Sequence, residues 1–101
     1  MLQNNKSIIQ ILGEIISKLE YQLYSGTLLY RFKHSIELPK EIFKDHPYYW
    51  IDEIGINPQT GILEYTCSTI DSKYIRCIPV NTLSPEFLQI VHNRITQETS
   101  K

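Results

Sequence analysis

The spacing of hydrophobic positions changes twice along the chain, from a helical period to a strand period and back. From residue 7 to residue 24, Ile8, Ile9, Ile11, Leu12, Ile15, Ile16, Leu19 and Leu23 project onto one arc of about 160° at 3.6 residues per turn, which predicts an amphipathic helix. Gln10, Glu14, Ser17, Lys18 and Tyr21 fall on the opposite side. Ser7 with Gln10 three residues later predicts a capping box at its start, and Gly26 predicts a left-handed cap at its end. Gly13 inside the segment costs about 1 kcal/mol relative to alanine, which the apolar stripe outweighs.

From Thr27 the period becomes 2. Leu28, Tyr30, Phe32, Ile36 and Leu38 share one face of the predicted strand, and Arg31, Lys33, Ser35 and Glu37 share the other. Pro39 ends it, and Pro39 to Lys44 predict a single helical turn before the break at Asp45-His46-Pro47. Residues 48–56 and 62–69 then predict a hairpin closed by Asn57-Pro58-Gln59-Thr60-Gly61, where Pro fixes one φ and Gly supplies a positive one. Counting outward from the turn pairs Ile56 with Leu63, Ile54 with Tyr65, Asp52 with Cys67 and Trp50 with Thr69. A further arm over 73–80 follows the polar turn at Asp71 and Ser72. Its register stays open, because Tyr74, Ile78 and Val80 compete with Ile75 and Cys77 for the inner face, and Pro79 predicts an edge.

Helical spacing returns at Pro85 and predicts a helix to Thr96. Ser84 is its N-cap, Pro85 its first residue, and Leu83 with Leu88 form a hydrophobic staple. Phe87, Leu88, Ile90, Val91 and Ile95 make its apolar side, and the polar tail from Gln97 is expected to fray. The fold class is therefore α+β: a two-layer sandwich of a four-stranded antiparallel meander with an N-terminal and a C-terminal helix. At 101 residues the chain is expected to form one domain, since a second core has nothing left to fill it.

Composition narrows the function mainly by exclusion. Ten basic against eleven acidic residues argue against a protein whose affinity comes from neutralising phosphates. No apolar run approaches the roughly 18 residues that cross a bilayer, and no continuous apolar stretch follows a charged start, so no membrane segment or export signal is expected and the expected location is the cytoplasm. Cys67 and Cys77 do not have redox-pair or zinc-knuckle spacing, and His34, His46 and His92 are scattered, so neither a metal site nor a cofactor is expected. Alanine is absent while isoleucine occurs sixteen times, a skew that codon bias in an AT-rich genome produces.

No nucleotide, protease or hydrolase motif occurs. What stands out are polar residues where the pattern calls for apolar ones. His34 lies between Phe32 and Ile36, Asp52 lies between Trp50 and Ile54, and one register of the last strand adds Arg76 to the same face. Such a trio binds an anion or performs acid–base work if it shares a pocket, and is a satisfied polar pair if it does not. Tyr48, Tyr49 and Phe43 form an aromatic-rich stretch suited to protein contact, and Trp50 beside them is expected to anchor the core. Arg31, Lys33, Lys40 and Lys44 are the best nucleic-acid candidates, but Glu37, Glu41 and Asp45 nearly cancel them. The first helix carries more apolar surface than a short sheet covers, and open sheet edges invite pairing, so a homodimer is expected. The leading expectation is a non-enzymatic binding or regulatory module acting through protein contact. Its alternatives are a small-ligand binder or minimal hydrolase using His34, Asp52 and Arg76, and an oligonucleotide-binding protein.

Overall fold

The computed structural model describes residues 7–23, 26–38 and 48–100. Helix α1 (Ile8–Ser17) is followed by strands β1 (Glu20–Gln22), β2 (Thr27–Glu37), β3 (Tyr48–Ile56), β4 (Leu63–Thr69) and β5 (Ile75–Pro79). A 3₁₀ turn at Val80–Thr82 leads into helix α2 (Pro85–Thr99). The strands form one antiparallel sheet in the order β1-β2-β3-β4-β5. The fold is α+β, as the periodicity predicts, with one strand more than expected. The helical turn expected at Pro39 to Lys44, and Phe43 with it, lie outside the described residues.

The additional strand comes from the second half of the predicted first helix. The Ser7–Gln10 capping box forms in both directions, but α1 stops at Ser17, where the Lys18 N–H donates to the Ile15 carbonyl at 2.9 Å and the Leu19 N–H to the Ile16 carbonyl at 3.1 Å. Leu19 and Leu23 fit either period, since they are four apart and also both odd. Tyr21 decides the matter: it falls on the polar side of a helix but alternates correctly with Glu20 and Gln22 in a strand. Gly26 takes a positive φ of 67° and closes the β1–β2 hairpin, with its N–H on the Gln22 carbonyl at 2.9 Å. It is a hairpin residue, not the helix cap.

The core lies between the sheet and the two helices. Ile11 and Ile15 from α1 and Phe87, Leu88, Val91 and Ile95 from α2 pack on Phe32, Ile36, Ile51, Ile54, Leu63, Tyr65 and Ile78. Phe32, Ile54 and Leu63 face inward as predicted. Near its turn the β3–β4 register is also as predicted, with Ile56 opposite Leu63 and Ile54 opposite Tyr65. Beyond Glu53 it is not. Asp52 is an extra residue on β3, so Ile51, rather than Asp52, faces Cys67, and a second irregularity at Tyr49 sets Tyr48 opposite Thr69. These bulges reverse the alternation. Ile51 becomes fully buried and Trp50 only half-buried, so Ile51 anchors the core where Trp50 was expected.

At the other end of the sheet β5 settles its own register. Ile78 pairs with Tyr65 and is buried, leaving Ile75 and Cys77 on the outer face of an edge strand. Ser84 caps α2 by accepting the Phe87 N–H, and α2 continues through Gln97 and Glu98 to Thr99 where fraying was expected. Ile90, expected on its apolar side, is exposed, and His92 is buried in its place. The His92 Nε2 lies 2.6 Å from the Glu14 Oε1 and ties α2 to α1, while its Nδ1 has no hydrogen-bond partner among the described residues. No helix among the described residues is long and apolar enough to cross a membrane.

Candidate functional site

The irregular centre of the sheet gathers most of the polar chemistry. Pairing of β2 with β3 runs to Arg31 opposite Glu53 and resumes only at Ile36 opposite Ile51. Phe32 to Ser35 are thus set against Asp52 alone. A strand deformed this far leaves backbone groups off the ladder, where they take partners from elsewhere. The end of α2 supplies them. The Glu98 carboxylate accepts the Lys33 N–H at 3.0 Å and the Tyr30 hydroxyl at 2.6 Å, while Arg94 donates to the His34 carbonyl at 2.7 Å. The Lys33 ammonium donates to the Glu98 carbonyl at 3.2 Å.

These contacts set the titration of the clamp. Burial pushes the Glu98 carboxyl up, but hydrogen bonds from Tyr30 and the Lys33 and His34 amides, with Arg94 nearby, outweigh it and hold the group below the usual carboxylate value. Burial, then the bond to Glu98, pushes the Tyr30 hydroxyl up to about 12. Burial likewise pushes the Cys67 thiol up to about 12, which makes it an inert core group.

Over the bulge lies a pocket of about 420 Å³ lined by Lys33, His34, Ser35, Trp50, Asp52 and Ser72. A neighbouring hollow of about 360 Å³ shares Lys33 and His34 and adds Arg94, Gln97 and Glu98. Of the trio proposed from sequence, the fold brings His34 and Asp52 to one pocket, although neither by simple alternation: His34 is exposed within the β2 bulge and Asp52 is the bulged residue of β3. Arg76 does not line that pocket. It stands on β5 opposite Cys67, exposed at the sheet edge. The Asp52 carboxylate accepts a short hydrogen bond from the Ser35 hydroxyl, and this partner, not His34, orients it. The arrangement offers cations and hydrogen bonds to a ligand without assembling a His–Asp acid–base pair.

Tyr48 and Tyr49 of the aromatic stretch are half-buried. Tyr48 packs against the core, and the Tyr49 ring meets Trp50 edge-on at 4.6 Å, with its hydroxyl raised by a hydrogen bond to Glu37. Among the basic candidates, Arg31 is paired with Glu53. Among the described residues no three His, Cys, Asp or Glu side chains gather as metal ligands. Searches against family models, curated proteins and solved structures found no match.

Uncovered apolar surface remains on α1. Ile11 and Ile15 point into the core, but Ile9 is 81% exposed and Ile8 and Ile16 are about half exposed. The predicted arc is wider than the sheet covers. Its free flank carries Ile9 and Ile16, beside Gly13, where an added Cβ would meet no atom within 4 Å, while Leu12 packs partly against the core.

Proposed function

We propose that the protein is a non-enzymatic binding module of a regulatory kind that works by contacting protein, first of all a second copy of itself through the free flank of α1. The observation that carries this reading is Ile9, a large aliphatic side chain four-fifths exposed on a helix that also presents the half-exposed Ile16. Gly13 adds to it. A helix-interior glycine costs about 1 kcal/mol, and no described atom crowds its position, so intramolecular packing does not account for it. A helix from a second copy would approach closely there. A two-fold antiparallel crossing between Leu12 and Gly13 sets Ile9 of one copy against Ile16 of the other, a self-complementary contact. Cys67 and Cys77, free thiols on opposite faces of the sheet, suit a reducing cytoplasm.

Sedimentation velocity over a concentration series tests the proposal. Wild type should shift toward a dimer as concentration rises, and Ile9→Glu should remain monomeric while losing no more than about 0.5 kcal/mol of stability, as expected for a surface change. A wild-type protein that stays monomeric throughout the series removes the reading.

A second reading, small-ligand binding, is favoured by the convergence of His34 and Asp52 on one pocket with Lys33 and Trp50. Trp50 is the chain's one tryptophan, so its fluorescence reports on this pocket. Inorganic phosphate and benzoate are suitable probes of its cationic and aromatic sides. The expected result is a saturable change in emission that His34→Ala abolishes at unchanged melting temperature. A change that His34→Ala leaves intact assigns these residues to structure alone.

A further inference from the structure

The sheet's outer face, turned away from both helices, is organised into cross-strand rows. One row runs Glu20, Leu29, Gly55, Glu64, and the next runs Arg31, Glu53, Thr66, Cys77. Gly55 sits at the middle of the first, where the neighbouring strand comes too close to admit a side chain. A Cβ there would lie 2.7 Å from the Leu28 carbonyl oxygen and 2.8 Å from the Leu29 Cβ, so the strand spacing itself requires glycine. Around it opens a groove of about 470 Å³ whose walls are mainly apolar, with Leu29, Gly55 and Cys77 in its lining.

Its charge is one-sided. The charged side chains in its lining are two carboxylates, Glu53 and Glu64. Arg31 is committed to Glu53. Among the described residues Glu64, in the groove wall, accepts a side-chain hydrogen bond from Asn57 alone, a long one of 3.4 Å. A ligand entering the groove therefore meets aliphatic surface next to a carboxylate with no cation of its own among the described residues. Apolar contact supplies affinity in such a groove and the unneutralised charge selects the partner.

We infer that this groove is a docking site for a protein segment that places an arginine or lysine between aliphatic side chains, the cation meeting Glu64 and the aliphatic groups resting on Leu29 and over Gly55. The site is on the opposite side of the sheet from α1 and does not depend on self-association.

Cys77 provides the assay. It is exposed in the groove lining, whereas Cys67 is buried with its thiol pushed up to about 12, so iodoacetamide at neutral pH reads Cys77. The probes are the blocked tripeptides Leu-Arg-Leu, Leu-Gln-Leu and Leu-Glu-Leu, added to the full chain. Leu-Arg-Leu should slow alkylation at a concentration where the other two do not. Glu64→Gln should weaken that protection by about fivefold, the upper range for one partly exposed ion pair, and Glu64→Lys should transfer protection to Leu-Glu-Leu. Both variants keep a strand-compatible side chain at an exposed-face position, and circular dichroism confirms their fold. Equal protection by all three peptides, protection by none, or protection unchanged in Glu64→Gln overturns the inference. None of these outcomes bears on the oligomeric state.

Discussion

Glu98→Ala is expected to lower stability by about 2 kcal/mol, because one carboxylate accepts from the part-buried Tyr30 hydroxyl and the Lys33 amide, and hydrogen bonds to a charged group contribute about 1.5–3 kcal/mol where water replaces them only in part. The Tyr30 hydroxyl and the Lys33 amide both lose their acceptor, and the last turn of α2 loses its attachment to the β2 bulge. Glu98→Gln keeps an acceptor oxygen and should cost clearly less. The pH dependence has a definite sign. The folded Glu98 carboxyl titrates below its ordinary value of 4.5, so its contribution is complete above that value and is lost as acid takes the pH through the lower, folded one. The Tyr30 hydroxyl is shifted the other way, from 10.0 up to about 12, so its share is complete below 10 and is lost as the pH rises through 12. The gap between wild type and Glu98→Ala should be widest across neutral pH and narrow at both extremes. Urea melts at about pH 3, 7 and 11 measure it. A gap that is the same at all three values denies the clamp its charge-dependent character.

The clamp also marks the limit of what sequence shows. Periodicity locates α2, the long strand β2 and the β3–β4 hairpin, because burial of one face imposes an unambiguous period on each. It fails where one sequence satisfies two periods. Leu19 and Leu23 serve a helix and a strand equally, and the lone polar-faced Tyr21 is the signal that separates them. Bulges defeat it more completely. Asp52 interrupts the alternation, and that interruption is visible in the sequence as a polar residue on an apolar face. The same symbol stands for a buried polar group and for an extra residue, and only the inward position of Ile51 tells them apart. The polar trio was partly legible for this reason: His34 and Asp52 broke the pattern at two facing irregularities, which pocket geometry then joined. Arg76 depended on parity alone in a strand whose register was open. Glu98 gave no signal, since its role is fixed by bulge amides far away in sequence that no local pattern encodes.

Two isoleucines on α1 should separate the fold from its assembly. Ile15 is fully buried, and with Ile11 it is the chief attachment of α1 to the core. Ile15→Ala should cost about 3–4 kcal/mol, a transfer loss plus a cavity that neighbouring side chains fill incompletely. A helix of ten residues has little stability alone, so the loss should concentrate on α1, whose loosening also frees Glu14 from the buried His92. Hydrogen exchange should then accelerate across Ile11 to Ser17 well before the central strands respond. Ile15→Ala would abolish self-association as well, but only by detaching the helix that presents the surface. Ile9→Glu acts on the same helix from the solvent side and should abolish association while α1 amides stay protected. If α1 exchanges equally fast in both variants, Ile9 contributes to the fold rather than to a contact between copies, and the exposed flank of α1 loses its assigned role.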